Sequence, residues 1–105
     1  MNDTALPPAT TSHAAIATEN ASRYLQQLCK HFAHKIPVSF DETQGRITFD
    51  MGECRLSATG SQLRLEARAQ SPESLPTLED VVARHLVRFA FREELAVTWV
   101  TGAQP

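Results

Sequence analysis

The sequence predicts an α+β domain of two layers, an antiparallel sheet with two helices packed on one of its faces. Three observations predict it. Four consecutive runs between residues 38 and 69 alternate apolar and polar side chains, as strands do when one face is buried and the other meets water. Two further runs, from Ala21 and from Leu78, repeat apolar residues at helical spacing. Short apolar runs at 12–18 and 96–100 flank this set and read as additional strands.

Ser12–Thr18 is apolar without helix spacing, most simply a first strand. Asn20 then offers an N-cap to a helix whose stripe is Ala21, Tyr24, Leu25, Leu28 and Phe32. Pro37 sets its limit, because the residue before proline is pushed out of the helical region. Val38 and Phe40, then Ile47 and Phe49, then Cys54, Leu56 and Ala58, then Leu63, Leu65, Ala67 and Ala69 supply the buried faces of four strands. Gly45, Gly52 and Gly60 fall in the gaps and are expected in turns of positive φ, making the four strands a meander.

The second helix has two candidate starts. Ser71 can cap it with Pro72 at the first helical position, or it can open at Thr77 with Asp80 completing a capping box, since Pro76 is awkward inside a helix. Leu78, Val81, Val82, His85 and Phe89 form its stripe, and Ala96–Val100 reads as a last strand. The order β-α-β-β-β-β-α-β, with the helices covering the apolar face of the sheet, resembles the TATA-binding-protein-like architecture, with an extended ferredoxin-like sandwich as the alternative. A likeness of fold says nothing about DNA binding.

Length and composition bound the rest. A chain of 105 residues supports one core, taken as residues 12–100, with 1–11 and 101–105 expected as unpatterned tails. Ten Lys and Arg face twelve Asp and Glu, for a formal net charge of −2, which argues against nucleic acid or an anionic membrane as the main partner. The outer sheet face repeats that balance locally. Arg46, Arg55, Arg64 and Arg68 share it with Asp41, Asp50, Glu53 and Glu66 and no aromatic, unlike a sheet that stacks bases. No signal segment or long apolar run is evident, and Cys29 and Cys54 are too few for a disulfide framework, so a cytoplasmic location with reduced thiols is expected.

Candidate functional side chains gather on the helices. Cys29, His31 and His34 superficially resemble a metal motif, but Cys29 and His31 project about 160° apart on a helical wheel. His31 and His34 share a face, which is at most half of a zinc site; two solvated histidines beside Lys30 and Lys35 at a helix C-terminus would look the same. His85 interrupts an apolar stripe and needs partners for its ring nitrogens if buried. Arg88 and Arg92 follow along the same edge, so the three could recognise a carboxylate or other small anion, or the arginines could pair with Glu93 and Glu94. Mid-helix His85 is expected to stand away from His31 and His34, which lie at a helix end.

NASRYLQQLCKHFAHK (20–35), VSFD (38–41), GRITF (45–49) and HLVRFAFREEL (85–95) with Trp99 resemble the bacterial family named domain of unknown function 2218, over about residues 13–100. The resemblance implies His31, His34, Lys35, His85, Arg88, Phe89, Arg92, Glu93 and Trp99 as signature residues without an assigned role. It also implies an iron-linked accessory role, through relatives attached to siderophore-interacting flavin reductases, and hence a flavin-reductase partner. No cofactor follows from the sequence. The expected function is a non-catalytic module binding a small anionic ligand, such as a siderophore fragment, through His31, His34, Lys35, His85, Arg88 and Arg92. The alternatives are a metal-binding or enzymatic domain using His31, His34 and His85, and a structural or homo-oligomeric interaction protein.

Overall fold

In the computed structural model, which describes residues 10–102, the chain runs β1 (Thr11–Ala17), α1 (Ala21–Ala33), β2 (Val38–Phe40), β3 (Gln44–Phe49), β4 (Gly52–Ala58), β5 (Gln62–Ala69), α2 (Leu75–Phe89) and β6 (Val100–Thr101), with a 3₁₀ turn at Pro72–Ser74. Most of the two expected tails lies outside the described residues. Thr11 and Thr101, assigned to those tails, instead belong to strands.

All pairings are antiparallel, in the order β2-β3-β4-β5-β1-β6. The expected meander is β2 to β5, and β1 returns to lie beside β5. One face carries the apolar set. Across it Ile47 opposes Cys54, Leu56 opposes Leu65 and Ile16 opposes Leu63, all buried beneath the helices. Both helices contribute to this single core, α1 through Tyr24, Leu25, Leu28, Cys29 and Phe32, α2 through Leu75, Leu78, Val82 and Leu86. Ser12 falls in the same inward register and is buried; its hydroxyl donates to Glu79 Oε2 on α2 at 2.6 Å, which ties β1 to α2. Among the described residues no helix is long and apolar enough to cross a membrane.

The glycine expectation is corrected. Of Gly45, Gly52 and Gly60, only Gly52 has a positive φ, 152°. The turn between β2 and β3 is built by Asp41, whose Oδ1 accepts from the backbone N–H groups of Thr43 and Gln44 at 2.8 Å each. Those two donors favour the ionised form and hold its carboxyl below the ordinary aspartate range. Asp41 therefore belongs to a turn and not to the outer sheet face. Gly45 sits within β3, opposite Leu56, and a Cβ there would stand 2.8 Å from Cys29 Sγ. The glycine marks a close approach of α1 to the sheet.

Three element ends also differ from expectation. Ser71 caps the 3₁₀ turn, its Oγ accepting from Ser74 N at 3.3 Å, and α2 follows at Leu75 with Pro76 in its first turn. There the missing N–H of proline has no helical partner to lose, so neither Pro72 nor Thr77 starts the helix. Asn20 holds the N-cap position of α1 without a side-chain cap bond; its amide nitrogen donates to Glu93 instead. The last strand is two residues rather than 96–100: Val100 pairs with His13 and Thr101 with Ser12. Leu95, Val97 and Trp99 still alternate inward and pack on the core, so the sequence pattern reports their packing faithfully while the ladder stops short.

Candidate functional site

The last turn of α1 meets the C-terminal turns of α2. His31 and Phe32 come from α1, and His85 and Phe89, one turn apart, come from α2. The ring centroids of His31 and His85 are 4.9 Å apart with planes tilted by 43°. His31 also meets Phe89 edge-on at 5.5 Å, and Phe32 lies 4.9 Å from His85 and 5.1 Å from Phe49. The expectation that His85 stands apart from His31 is therefore wrong: His85 is not mid-helix but one turn from the last residue of α2, Phe89, and the C-terminal end of α1 packs there.

His85 Nδ1 lies 2.7 Å from the carbonyl oxygen of Val81. A carbonyl only accepts, so Nδ1 carries a proton and Nε2 is the nitrogen left for other chemistry. His31 is exposed on its outer side. Its pKa is lowered, first by the loss of solvent against the neighbouring rings and then by His85, Lys35, His34 and Arg88. Every charged or titratable neighbour acting on it is basic. His34 and Lys35 are exposed one turn further on, and Arg88 is exposed on α2. Among the described residues no three His, Cys, Asp or Glu side chains gather to hold a metal, so His31 and His85 converge without a third ligand.

Arg92 does not join this group. It lies in the turn after α2, its guanidinium carbon 5.5 Å from the ring centre of Phe91, on a cleft that also holds Arg23, Tyr24, Gln27 and Phe89. Pairing of Arg88 or Arg92 with Glu93 or Glu94 is absent among the described ion pairs. Glu93 is taken up otherwise. Its carboxylate accepts from Thr18 Oγ1 at 2.9 Å, from Asn20 Nδ2 at 2.7 Å and from the Tyr24 hydroxyl. These donors, Tyr24 foremost, hold the Glu93 carboxyl below its ordinary value, and the same bond raises the Tyr24 phenol. Sequence reasoning missed this network. Its one visible signal was Tyr24, a side chain with a polar tip on an otherwise apolar stripe.

The remaining candidates are structural. Cys29 and Cys54 are buried, unpaired thiols; burial pushes Cys29 up to about 11 and Cys54 higher still. On the outer sheet face Glu53 holds both Arg46 at 2.8 Å and Arg55 at 2.7 Å, and Glu66 holds Arg68 at 3.0 Å. That face is largely a set of exposed ion pairs, as its mixed charge implied.

An open antiparallel sheet with two helices on one face, and an imidazole pair where those helices cross, defines the protein as a small two-layer α+β domain. The chain belongs to the family described as an uncharacterised protein conserved in bacteria, domain of unknown function 2218, which matches residues 13–100. It is similar to PA4090 from Pseudomonas aeruginosa, whose NMR structure aligns with a TM-score of 0.74 and 34% identity over 87% of this chain and 95% of that one. No curated protein matches.

Proposed function

We propose that the protein is a non-catalytic module that binds a small anionic ligand where α1 crosses α2. The observation that carries this reading is the charge around His31. Its ring is packed against His85, and each charged neighbour that shifts it, Lys35, His34 and Arg88, is basic. An anion placed there meets donors and cations with no carboxylate among them, and Arg88 offers a planar two-point donor. Protonation of His31 on binding would add a further charge-assisted hydrogen bond.

The narrower form of this reading is an iron-linked accessory role. The ligand is then a carboxylate of a siderophore or of its ferric complex, and a flavin reductase is the partner. What supports it is the basic, carboxylate-complementary character of the crossing.

The test is a titration with citrate and with ferric citrate, followed by ring-proton and amide NMR shifts. Saturable shifts at His31, His85 and Arg88 are expected. Titration curves with no movement at these residues would overturn the reading. Equal response to citrate and ferric citrate would overturn its iron-linked form alone.

A further inference from the structure

A second site lies beside the first and does not depend on the imidazole pair. We infer that the cleft between the first turns of α1 and the turn after α2 binds a small aromatic carboxylate. The cleft has a volume of about 400 Å³, within the range of small-molecule sites. Its walls combine two features.

The first is aromatic. Phe91 is 77% exposed, the most exposed large apolar side chain among the described residues, and Phe89 lines the same cleft. A single exposed phenylalanine is unremarkable on a surface, but here it borders a concavity together with a second ring. A flat ring packed against them would remove apolar area from water.

The second is cationic. Arg23 from α1 and Arg92 from the turn both line the cleft, and neither makes an ion pair among the described residues. The carboxylate nearest to them in the cleft is Glu93, whose oxygens already accept from Thr18, Asn20 and Tyr24. The arginines are thus left without an acidic partner in a mostly polar cleft that two phenylalanines also line. A carboxylate attached to a ring satisfies both features: the ring packs on Phe89 and Phe91, and the carboxylate faces Arg23 and Arg92. An aliphatic anion uses only the second feature, and a neutral aromatic only the first. Gln27, on the same wall, can add a hydrogen bond to a polar ring substituent.

The experiment titrates the full chain with benzoate, acetate and benzyl alcohol, followed by amide NMR shifts. Benzoate is expected to move amides of 20–27 and 89–93, with acetate and benzyl alcohol each at least about tenfold weaker. Arg23→Gln, Arg92→Gln and Phe91→Ala change exposed side chains, so each variant should keep the wild-type melting curve while losing benzoate affinity. Three results would overturn the inference: acetate binding as well as benzoate, benzoate shifts centred outside the cleft, or a folded Arg23→Gln/Arg92→Gln double variant that binds benzoate unchanged. Citrate shifts at His31 and His85 should survive in that double variant, so the failure of this site and the failure of the proposed anion site are read separately.

Discussion

The imidazole of His31 on α1 stands 4.9 Å from that of His85 on α2, centre to centre, in a setting where Lys35, His34 and Arg88 add only positive charge. Loss of solvent against the neighbouring rings, and then that positive charge, make the fold prefer His31 neutral. Its folded pKa lies below the ordinary histidine value of about 6.5. In the window between the two values the unfolded chain binds more protons than the folded one. Stability from this source is complete above about pH 6.5 and is lost as pH falls through the folded pKa. Denaturant melts between pH 7.5 and 5.5 should show falling stability in the wild type and a shallower slope in His31→Gln. Parallel slopes would show that His31 is not the group responsible.

Ligand affinity should run the opposite way. An anion at the crossing favours protonated His31, so binding takes up a proton and strengthens as pH falls through the same window. Sulfate is a suitable probe because it does not itself titrate there. Its affinity should rise several-fold from pH 7.5 to 5.5, and calorimetry in two buffers of different ionisation enthalpy should reveal the proton uptake. His31→Gln should abolish the pH dependence, and a pH-independent affinity in the wild type would contradict the proposed site.

The Tyr24–Glu93 bond gives a spectroscopic prediction, since Tyr24 is the chain's one tyrosine. Its phenol is raised above 10.0, chiefly by the hydrogen bond to Glu93. Because the folded value is raised, this contribution to stability is present below the ordinary pKa and disappears as pH rises through the folded one. Glu93 has the reverse sign: its folded pKa is lowered, so its contribution is present at neutral pH and lost on acidification. In Glu93→Gln the absorbance titration of Tyr24 should move back down toward pH 10, and the thermal midpoint should fall because the amide keeps one accepting oxygen for Thr18, Asn20 and Tyr24 and loses the negative charge. An unmoved Tyr24 titration would mean that the carboxylate is not its partner in solution.

The sequence exposed most of the scaffold because periodicity is a local property. The inward faces of β3 to β5 follow from alternation, and the stripe of α1 follows from its spacing, Cys29 apart; in the edge strand β2 only Val38 packs on the core, and Phe40, expected inward, is exposed. Two kinds of feature escaped. One is close approach: Gly45 looks like a turn glycine in sequence, and only the packed position of Cys29 shows that it is a strand residue under a helix. The other is the meeting of distant segments. The candidate histidines were legible as unusual residues on helix faces, but whether His31 reaches His85 depends on where two helices cross, which neither stripe encodes. The same holds for Glu93. Its partners Thr18, Asn20 and Tyr24 lie far back in the chain, and the bond between Asn20 and Glu93 has no local signature.

The packing of α1 on β3 can be tested with a double-mutant cycle. Replacing a strand glycine by alanine ordinarily stabilises by about 0.4–1 kcal/mol, through the unfolded chain, when the site has room. At Gly45 it has none: the new Cβ would stand 2.8 Å from Cys29 Sγ and 3.3 Å from Leu25 Cδ2. Cys29, on the sheet-facing side of α1, is fully buried against the core and has little room to swing aside, whereas the end of the Leu25 side chain needs to give only a few tenths of an ångström. Gly45→Ala should therefore destabilise, by about 1–3 kcal/mol as overpacked cores do. Cys29→Ala removes the obstructing sulfur and leaves a small cavity. In that background the added methyl of Gly45→Ala moves into vacated space, so the second substitution should cost at least about 1 kcal/mol less than it does alone. Urea melts of the wild type, both single variants and the double variant give the coupling directly. Strict additivity would show that the sulfur is not what excludes a side chain at position 45.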